Sequence, residues 1–251
     1  MNIENQIVNW IKNYSKESGI NTLIVGISGG VDSALTSILC AETELDTILV
    51  SMPIKQNLEQ LKRAHNHMSF LANKYKNVIT IEKDLTDIYE EFECTFSNIS
   101  PNYLALANSR ARLRMTSLYY IAQVNNGLVV GTGNKVEDFG VGFFTKYGDG
   151  GVDISPIADL LKSEVRTLAK KLGVDKQILQ APPTDGLWED NRTDEDQLGA
   201  TYNELEFAMN YTGEDYITDR EQDVVKIYEK FNKQNKHKMM PIPVCKIERD
   251  I

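Results

Sequence analysis

Residues 28–33, which read SGGVDS, have the residue types and spacing of a phosphate-binding turn. They follow the apolar run 23–27 and precede a helix-like segment, residues 34–40. Glycines let backbone N–H groups turn inward, hydroxyls add donors, and a helix N-terminus adds partial positive charge. The turn lacks the lysine of the GxxxxGK[ST] loop, so it is a different motif. The alternative is a βα turn in which Asp32 or Ser33 caps the helix, and the complete string favours phosphate over it.

Two carboxylates are candidates for holding a cation beside that phosphate. Asp32 lies inside the turn, where its charge would repel phosphate unless a divalent ion lay between them. Mg²⁺ is the expected ion because it binds carboxylate and phosphate oxygens together. Glu137 follows a second small turn, residues 131–133, and its alternative role is charge pairing at a helix N-terminus. Ligands bind beyond the carboxyl ends of parallel strands, so we expect both turns to share one crevice.

Short runs rich in β-branched residues alternate with longer helix-like segments along the chain. This alternation predicts a parallel sheet covered by helices on both faces. We expect a single α/β domain, residues 1–251, that is Rossmann-like and doubly wound, with a mostly parallel sheet of five strands. Strand-like runs occupy residues 22–27, 47–52, 78–81 and 128–130.

The composition is that of an ordinary globular protein, with 41% hydrophobic and 25% charged residues in a chain of 251. No membrane association is expected, because no apolar run has spanning length and the N-terminus lacks a signal-peptide profile. The net charge of −9 argues against nucleic-acid binding. Three cysteines without metal-ligand spacing fit free thiols in a reducing cytoplasm, and Cys40 is expected in the core.

Arginines cluster on a helix predicted after Pro101. Asn108 and Arg112 are four residues apart and share one face, while Arg110 and Arg114 share another. A guanidinium suits phosphate binding and stacking on rings. For the second pair, a solvated basic face and a ligand-binding face remain equally good interpretations.

Two stretches, residues 143–153 and 181–196, are predicted to be loops, and loops of this length are usually functional or disordered. Residues 219–238 are predicted to form a charged helix that is followed by an extended tail. The histidines at positions 65 and 67 have no evident partners, and we expect both His65 and His67 on the surface.

Several strings resemble one enzyme family. SGGVDS resembles the loop of the N-type ATP pyrophosphatases, which split ATP into AMP and pyrophosphate. Residues 108–115 (NSRARLRM) resemble the NxxARxRM segment of the NAD synthetases within that superfamily, and residues 144–151 (FTKYGDGG) resemble a string specific to them. Residues 181–188 are similar to the family's loop near the catalytic centre. The resemblance runs from about Gly26 to Lys238, with the motifs in order.

The resemblance also implies the site residues. It makes Asp32 and Glu137 the ligands of a Mg²⁺ cofactor, and it makes Asp32, Lys162 and Asp153 catalytic. The implied ATP contacts are Gly26, Ile27, Ser28, Gly29, Gly30, Val31, Asp32, Ser33, Thr132, Lys162 and Thr184. The implied contacts to nicotinic acid adenine dinucleotide (deamido-NAD) are Arg112, Lys146, Asp153, His237 and Lys238.

The family's reaction is adenylation of deamido-NAD by ATP, followed by amidation with ammonia to NAD, with AMP and pyrophosphate released. No glutaminase domain is expected in this chain, so ammonia is the expected nitrogen donor. The resemblance further implies a homodimer with substrate near the subunit boundary. Residues 181–196 could close over the reactants and exclude water. Asp149 and Asp153 are the carboxylates considered as the base for the ammonium proton.

Two rival functions remain open. The chain could adenylate another acceptor, as GMP synthetase or a tRNA-modifying relative does, but FTKYGDGG and the lack of a zinc-type cysteine cluster count against this. It could also be a nucleotide-binding regulator without turnover, against which the intact Asp32, Glu137 and Lys162 count. Release of AMP in the presence of deamido-NAD, ATP, Mg²⁺ and ammonia discriminates among all three.

Overall fold

The computed structural model describes residues 2–99, 102–184, 193–214 and 216–248, and a parallel β-sheet lies at its centre. The strands are β1 Thr22–Gly26, β2 Asp46–Ser51, β3 Val78–Glu82 and β4 Gly127–Val130. Within the described residues they lie in the order β3-β2-β1-β4, and every pairing is parallel. The predicted strand-like runs agree with these bounds to within one residue.

The prediction of a fifth strand in the sheet is wrong. Ile154 forms only an isolated parallel bridge with Val130 beyond the outer edge of β4. The Asp153 carboxylate accepts a hydrogen bond from the Val129 N–H at 2.8 Å, so a side chain takes a donor that a continuing strand would use. Pro156 follows and has no N–H for a ladder. The sheet in the described part of the chain therefore has four strands.

Helices cover both faces of the sheet, as predicted. Within the described residues, five α-helices precede or separate β1 to β4, and five more follow β4. Their bounds are α1 Ile3–Ser18, α2 Val31–Ala41, α3 Leu58–Lys74, α4 Thr86–Thr95, α5 Tyr103–Asn125, α6 Lys162–Lys171, α7 Lys176–Leu179, α8 Asp194–Leu198, α9 Tyr202–Asn210 and α10 Asp219–Met239.

Two hydrophobic cores lie on opposite faces of the sheet. Successive strand side chains point to opposite sides, so Leu23 and Val25 enter one core and Ile24 enters the other. The first core is closed by α1, α2, α3 and α6, and the second by α4 and α5. Burial on both sides explains why the central strands are apolar throughout.

A third, smaller core fixes the segment after β4. A π-helix, Lys135–Val141, packs there against α9 and α10. Its last carbonyls are satisfied from α10, because Asn232 donates to Gly140 at 2.7 Å and Asn235 donates to Val141 at 2.9 Å. π-helical turns are uncommon and frequently occur at functional sites. This core positions Glu137, which lies in the first turn of the π-helix.

The prediction that His67 lies on the surface is wrong, because His67 is only 3% exposed. His67 falls on the buried stripe of α3 with Ala64 and Leu71. Its Nε2 lies 2.8 Å from the Ser37 hydroxyl, which satisfies the ring inside the core. His65 lies one position off the stripe and remains partly exposed.

Cys40 is fully buried, as predicted. Residues 240–248 follow α10 without helix or strand, which fits the predicted tail. The predicted loop at 181–196 is only partly described: residues 185–192 lie outside the described residues, and its last residues already belong to α8. Among the helices of the described ranges, none has the length and apolarity needed to cross a membrane.

Candidate active site

A cavity of about 620 Å³ opens at the carboxyl ends of β1, β2 and β4. Both sequence-predicted turns, residues 28–33 and 131–133, contribute to its wall, so they share one crevice as expected. Of the sequence-predicted site residues, those lining it are Gly26, Ile27, Ser28, Gly29, Gly30, Val31, Asp32, Ser33, Arg112, Thr132, Glu137, Lys146, Lys162, Thr184, His237 and Lys238.

The turn at 28–33 has the geometry of an anion site. Gly29 has a φ of +82°, and a Cβ there would lie 2.4 Å from the Gln60 carbonyl oxygen, so α3 packs directly against the glycine. The hydroxyls of Ser28 and Ser33 lie 3.1 Å apart across the turn. Gly30 is the N-cap of α2 and has no side chain to accept a capping bond, which leaves the first N–H groups of the helix for a ligand.

Two arginines that sequence reasoning missed lie beside this turn. Arg63 of α3 donates from Nε to the Gly29 carbonyl at 3.3 Å, and Arg166 of α6 also lines the cavity. An arginine on an amphipathic helix is usually a surface charge, so neither position carries a sequence signal. Together they add the local positive charge that a net-acidic chain needs to bind an anion.

Lys162 joins the two predicted metal ligands. Its Nζ donates to Asp32 Oδ2 at 2.6 Å and to Glu137 Oε1 at 2.9 Å, and the lysine side chain is only 4% exposed. Asn134 donates to Asp32 Oδ1 at 3.0 Å and accepts from the N–H of Glu137 at 3.1 Å. The start of α2, the π-helix and the start of α6 thereby converge on one set of charges, which we call the Lys162 cluster: Asp32, Glu137 and Lys162.

The charges of the Lys162 cluster stabilise one another. Burial works to raise the pKa of Glu137, but Lys162 and the Tyr202 hydroxyl outweigh it and hold that pKa below its usual value. Burial raises the pKa of Asp32, although Lys162 opposes this effect. Burial alone would lower the pKa of Lys162, but its two carboxylate partners raise it. The lysine is therefore a firmly protonated cation between two acidic side chains.

A tyrosine that sequence reasoning also missed completes this arrangement. The Tyr202 hydroxyl donates to Glu137 Oε1 and lies 3.3 Å from Asp194 Oδ2. Its ring centroid lies 4.7 Å from the Lys162 ammonium. A tyrosine at the start of an amphipathic helix is usually part of the core, and only the tertiary structure brings this one into contact with Glu137 and Lys162.

Two further carboxylates, Asp138 and Asp149, line the cavity. Burial raises the pKa of Asp138 well above its usual value, and Glu137 and Asp149 add to this effect. Burial also raises the pKa of Asp149, whose carboxylate accepts from the Thr145 N–H at 3.0 Å. Asp149, one of the two carboxylates considered as a base, therefore lies in the cavity.

The 143–153 segment is attached to the end of α10 by reciprocal lysine contacts. Lys146 donates to the His237 carbonyl at 3.1 Å, and Lys238 donates to the Phe144 carbonyl at 2.8 Å. Arg112 of α5 donates to the Lys146 carbonyl at 3.2 Å. Four of the five side chains expected to contact a dinucleotide are thus neighbours, although they come from three distant parts of the sequence.

Asp153 is the exception among the predicted residues, because it does not line the cavity. Its carboxylate accepts from the Tyr119 hydroxyl at 2.9 Å and from the Val129 N–H, on the outer edge of the sheet. The residue is exposed there. The structure therefore does not bring Asp153 together with Asp32 and Lys162, and its assignment to the same catalytic group has no geometric support.

The two arginines with two open interpretations, Arg110 and Arg114, lie in different surroundings. Arg114 lines the cavity and donates to the Met52 carbonyl at 2.9 Å and to the Gln56 side chain at 3.0 Å. Burial lowers the pKa of Arg114 to about 10. The Arg110 guanidinium lies 5.4 Å from the Tyr89 ring and does not line the cavity. Of the two, Arg114 is therefore the one in place to contact a ligand in the cavity.

The residues present fit a Mg²⁺ ion. Asp32 and Glu137 supply the oxygen ligands that Mg²⁺ prefers. Across the described ranges, no three or more His, Cys, Asp or Glu side chains form a group that could hold a metal ion. The pair is therefore suited to an ion whose other ligands are phosphate oxygens and water, rather than to a cage made by protein alone.

Comparisons with known proteins agree with this site. The family model described as NAD synthase matches residues 3–241. An NH3-dependent NAD⁺ synthetase from Carboxydothermus hydrogenoformans is 40% identical over 213 residues, which are 83% of this chain and 84% of that protein. One from Alkaliphilus oremlandii is 35% identical over 96% of each chain.

Solved structures give the same result for the fold. The NMN synthetase from Francisella tularensis has a TM-score of 0.87 and is 29% identical over 98% of both chains. The NH3-dependent NAD synthetase from Campylobacter jejuni has a TM-score of 0.79 and is 23% identical over 97% of this chain and 98% of its own. On the match of the family model and of these relatives along most of its length, the chain belongs to the NAD synthase family.

Proposed function

We propose that the protein catalyses the ATP-dependent amidation of deamido-NAD with ammonia, giving NAD, AMP and pyrophosphate. The observation that carries the proposal is the Lys162 cluster beside the glycine turn, in a cavity at the end of the parallel strands. Curated relatives that align over 80% or more of their own length are named NH3-dependent NAD⁺ synthetase, which supports ammonia as the nitrogen donor.

The reaction needs activation because a carboxylate resists attack by ammonia. A carboxylate oxygen of deamido-NAD attacks the α-phosphorus of ATP, and pyrophosphate leaves. Ammonia then attacks the carbonyl carbon of the acyl-adenylate, AMP leaves with the C–O bond electrons, and the nitrogen loses a proton. The protein needs no side-chain nucleophile for either step, so its contribution is positioning and electrostatic stabilisation.

Each part of the cavity has a role in this scheme. The N–H groups at 28–33 and at the start of α2 hold the leaving pyrophosphate, and Lys162 places a cation where negative charge develops. Asp32 and Glu137 would hold Mg²⁺, which neutralises phosphate charge when bound. Thr132 and Thr184 are the remaining proposed ATP contacts.

The dinucleotide is proposed to lie against Arg112, Lys146, His237 and Lys238, and the positive side chains of the arginine and the two lysines suit a pyrophosphate bridge. Asp153 remains a proposed contact of deamido-NAD, although its side chain lies outside the cavity. That position fits the proposed homodimer, in which substrate lies near the subunit boundary and touches groups of both copies. The exposed apolar side chains of α5 are available for such a boundary.

A second candidate substrate comes from the Francisella tularensis protein, which is named an NMN synthetase and is similar along 98% of both chains. For this chain the corresponding reaction would amidate nicotinic acid mononucleotide, which lacks the adenylate half of deamido-NAD. The resemblance of residues 108–115 and 144–151 to NAD synthetases favours the dinucleotide.

The test is to measure AMP release with ATP, Mg²⁺ and ammonium chloride and with one acid substrate at a time. Deamido-NAD is expected to give the highest kcat/KM. A higher value with nicotinic acid mononucleotide would make the protein an NMN synthetase. Turnover with xanthylate alone would indicate a different acceptor, and nucleotide binding without AMP release would indicate a regulator.

A further inference from the structure

Tyr202 contacts both Glu137 and Lys162. It is 2% exposed and begins α9, whereas Glu137 belongs to the π-helix and Lys162 to α6. The three elements pack together, so the tyrosine is held by the same core that holds the glutamate.

The hydroxyl and the ring of Tyr202 make different contacts. The hydroxyl donates its one proton to Glu137 Oε1, the same oxygen that accepts from Lys162 Nζ. The ring lies under the Lys162 ammonium, with 4.7 Å between the nitrogen and the centroid. A phenol donor and an aromatic face thus restrain both charged groups at once.

The backbone around Tyr202 is tied to the segment that contains Thr184. The Asp194 N–H donates to the Pro183 carbonyl at 3.0 Å, and the Asp194 carboxylate lies 3.3 Å from the Tyr202 hydroxyl. The Tyr202 N–H donates to Glu195 Oε1 at 2.9 Å. Tyr202 therefore connects the proposed ATP contact at Thr184 with the proposed metal ligand at Glu137.

We propose that Tyr202 is a positioning residue of the reaction, whose hydroxyl aims the Glu137 carboxylate at the metal-bound phosphates. The proposal rests on the proposed function for its catalytic consequence, but the aiming of Glu137 can be measured without turnover. Partners that orient metal ligands in this way typically change metal affinity or activity by about 10–100-fold when they are lost.

The test uses Tyr202→Phe, which removes the hydroxyl and keeps the ring. Tyr89→Phe is the matched control, because Tyr89 is also buried and its hydroxyl also donates to a glutamate, but that glutamate, Glu93, is not part of the Lys162 cluster. Calorimetry gives the Kd of α,β-methylene-ATP in the presence of Mg²⁺ and in the presence of EDTA. The Kd in EDTA divided by the Kd with Mg²⁺ is the ratio that measures how much the metal strengthens binding to the protein. We expect Tyr202→Phe to reduce this ratio about tenfold and Tyr89→Phe to leave it within twofold.

A double-mutant cycle with Glu137→Gln separates positioning from general structure. If Tyr202 acts through Glu137, the ratio in the double variant is no lower than in Glu137→Gln alone. The proposal is overturned if the two losses multiply, if Mg²⁺ does not tighten analogue binding in the parent protein, or if Tyr202→Phe leaves the ratio unchanged. Failure of Tyr202→Phe to fold would also overturn it, because the hydroxyl would then serve the fold.

Activity is the second readout. The Mg²⁺ concentration for half-maximal AMP release should rise in Tyr202→Phe, while the KM for deamido-NAD stays within threefold. A change in that KM without a change in the Mg²⁺ requirement would contradict the proposal. If the parent protein binds Mg²⁺ with the analogue but does not amidate deamido-NAD, the proposed function fails and the calorimetric result for Tyr202 still stands.

Discussion

At the scale of single residues, the site is defined by one buried cation between two carboxylates, which leaves a net charge of −1 when all three groups are ionised. Lys162 is held by two carboxylates, at 2.6 Å from Asp32 and 2.9 Å from Glu137. Such a group is costly to bury unless each charge has a partner. The cluster therefore needs further positive charge, such as the proposed Mg²⁺, before a triphosphate can bind beside it.

Asp32→Ala should abolish turnover, because it removes a proposed Mg²⁺ ligand and a partner of Lys162. We expect kcat for AMP release to fall by about 10³-fold or more, in the range seen when an electrostatic group of an active site is lost. Quantifying AMP by chromatography under saturating substrates checks this. Near-normal rates would remove Asp32 from the metal site.

Lys162→Met should destabilise the protein, because it leaves Asp32 and Glu137 together without their cation. Removing one partner of a buried ion pair costs about 3–5 kcal/mol of unfolding free energy. Urea unfolding at pH 7 without nucleotide measures the loss. Lys170→Met on the same helix is the control, since Lys170 is exposed. A loss below about 1 kcal/mol, as for an exposed pair, would contradict the prediction.

At the scale of elements, hydrophobic patterning located the four strands to within one residue, whereas the expected total of five strands was one too many. A buried parallel strand has a composition that identifies it locally. Whether the chain near Ile154 joins the sheet depends instead on Asp153, whose side chain takes the Val129 donor. That contact spans 24 residues and has no local signature.

Contact between α3 and the glycine turn predicts different effects for two neighbouring glycines. Gly29→Ala should be severe, because its φ is +82° and the Cβ would lie 2.4 Å from a backbone oxygen of Gln60. The left-handed backbone alone costs about 1–2 kcal/mol with a Cβ, and the overlap adds to it. Thermal unfolding measures the loss.

Gly30→Ala is the matched control for that prediction. Its φ is −94°, and the nearest atom to its Cβ would be the Ser28 hydroxyl oxygen at 3.3 Å. We therefore expect a small change in Tm for Gly30→Ala. Equal changes in Tm for the two variants would show that α3 does not constrain the turn.

At the scale of the whole molecule, α5 buries one face against the sheet and exposes apolar side chains on another. Tyr120 and Val124 are 72% and 67% exposed. In a homodimer this face would be covered, because large apolar patches are rarely left in water. The proposed dimer therefore has a definite candidate surface.

Val124→Glu should weaken the dimer by placing a charge in that surface. Sedimentation velocity at micromolar concentration is expected to give a dimer for the parent chain of 28.4 kDa and a larger monomer fraction for the variant. Lys16→Glu on α1 is the charge-changing control. A monomeric parent protein, or an unaffected variant, would rule out this face.

The stability of the whole molecule should fall in mild acid because of His67. Burial lowers the pKa of His67 to about 4, whereas an unfolded histidine titrates near 6.5. The unfolded state therefore binds the proton first, and stability is lost as the pH falls from about 6.5 towards 4. At pH 5 the loss from this group is about 2 kcal/mol relative to pH 7.5.

Urea unfolding of the parent protein and of His67→Gln at both pH values tests this. The variant has no titrating ring at this position but can still bond to the Ser37 hydroxyl. We expect the loss of unfolding free energy between pH 7.5 and pH 5 to be smaller in the variant. Equal losses would show that the ring is not held neutral.

The sequence by itself determined the fold class, the positions of the four strands, the glycine turn and a set of site residues that all line the cavity except Asp153. These features are local, because turn geometry, apolar runs and family strings are each encoded within a few neighbouring residues. They identified Asp32, Glu137 and Lys162 as site residues without showing how the three side chains contact one another.

Only the tertiary structure decided which side chains meet. Tyr202 reaches Glu137 across 65 residues, and Lys162 reaches Asp32 across 130. Contacts with distant segments also hold Asp153 at the edge of the sheet, outside the cavity, and hold His67 in the core rather than on the predicted surface. A buried polar group is satisfied by whatever the packing of helices brings within hydrogen-bond distance, and no local pattern specifies that partner.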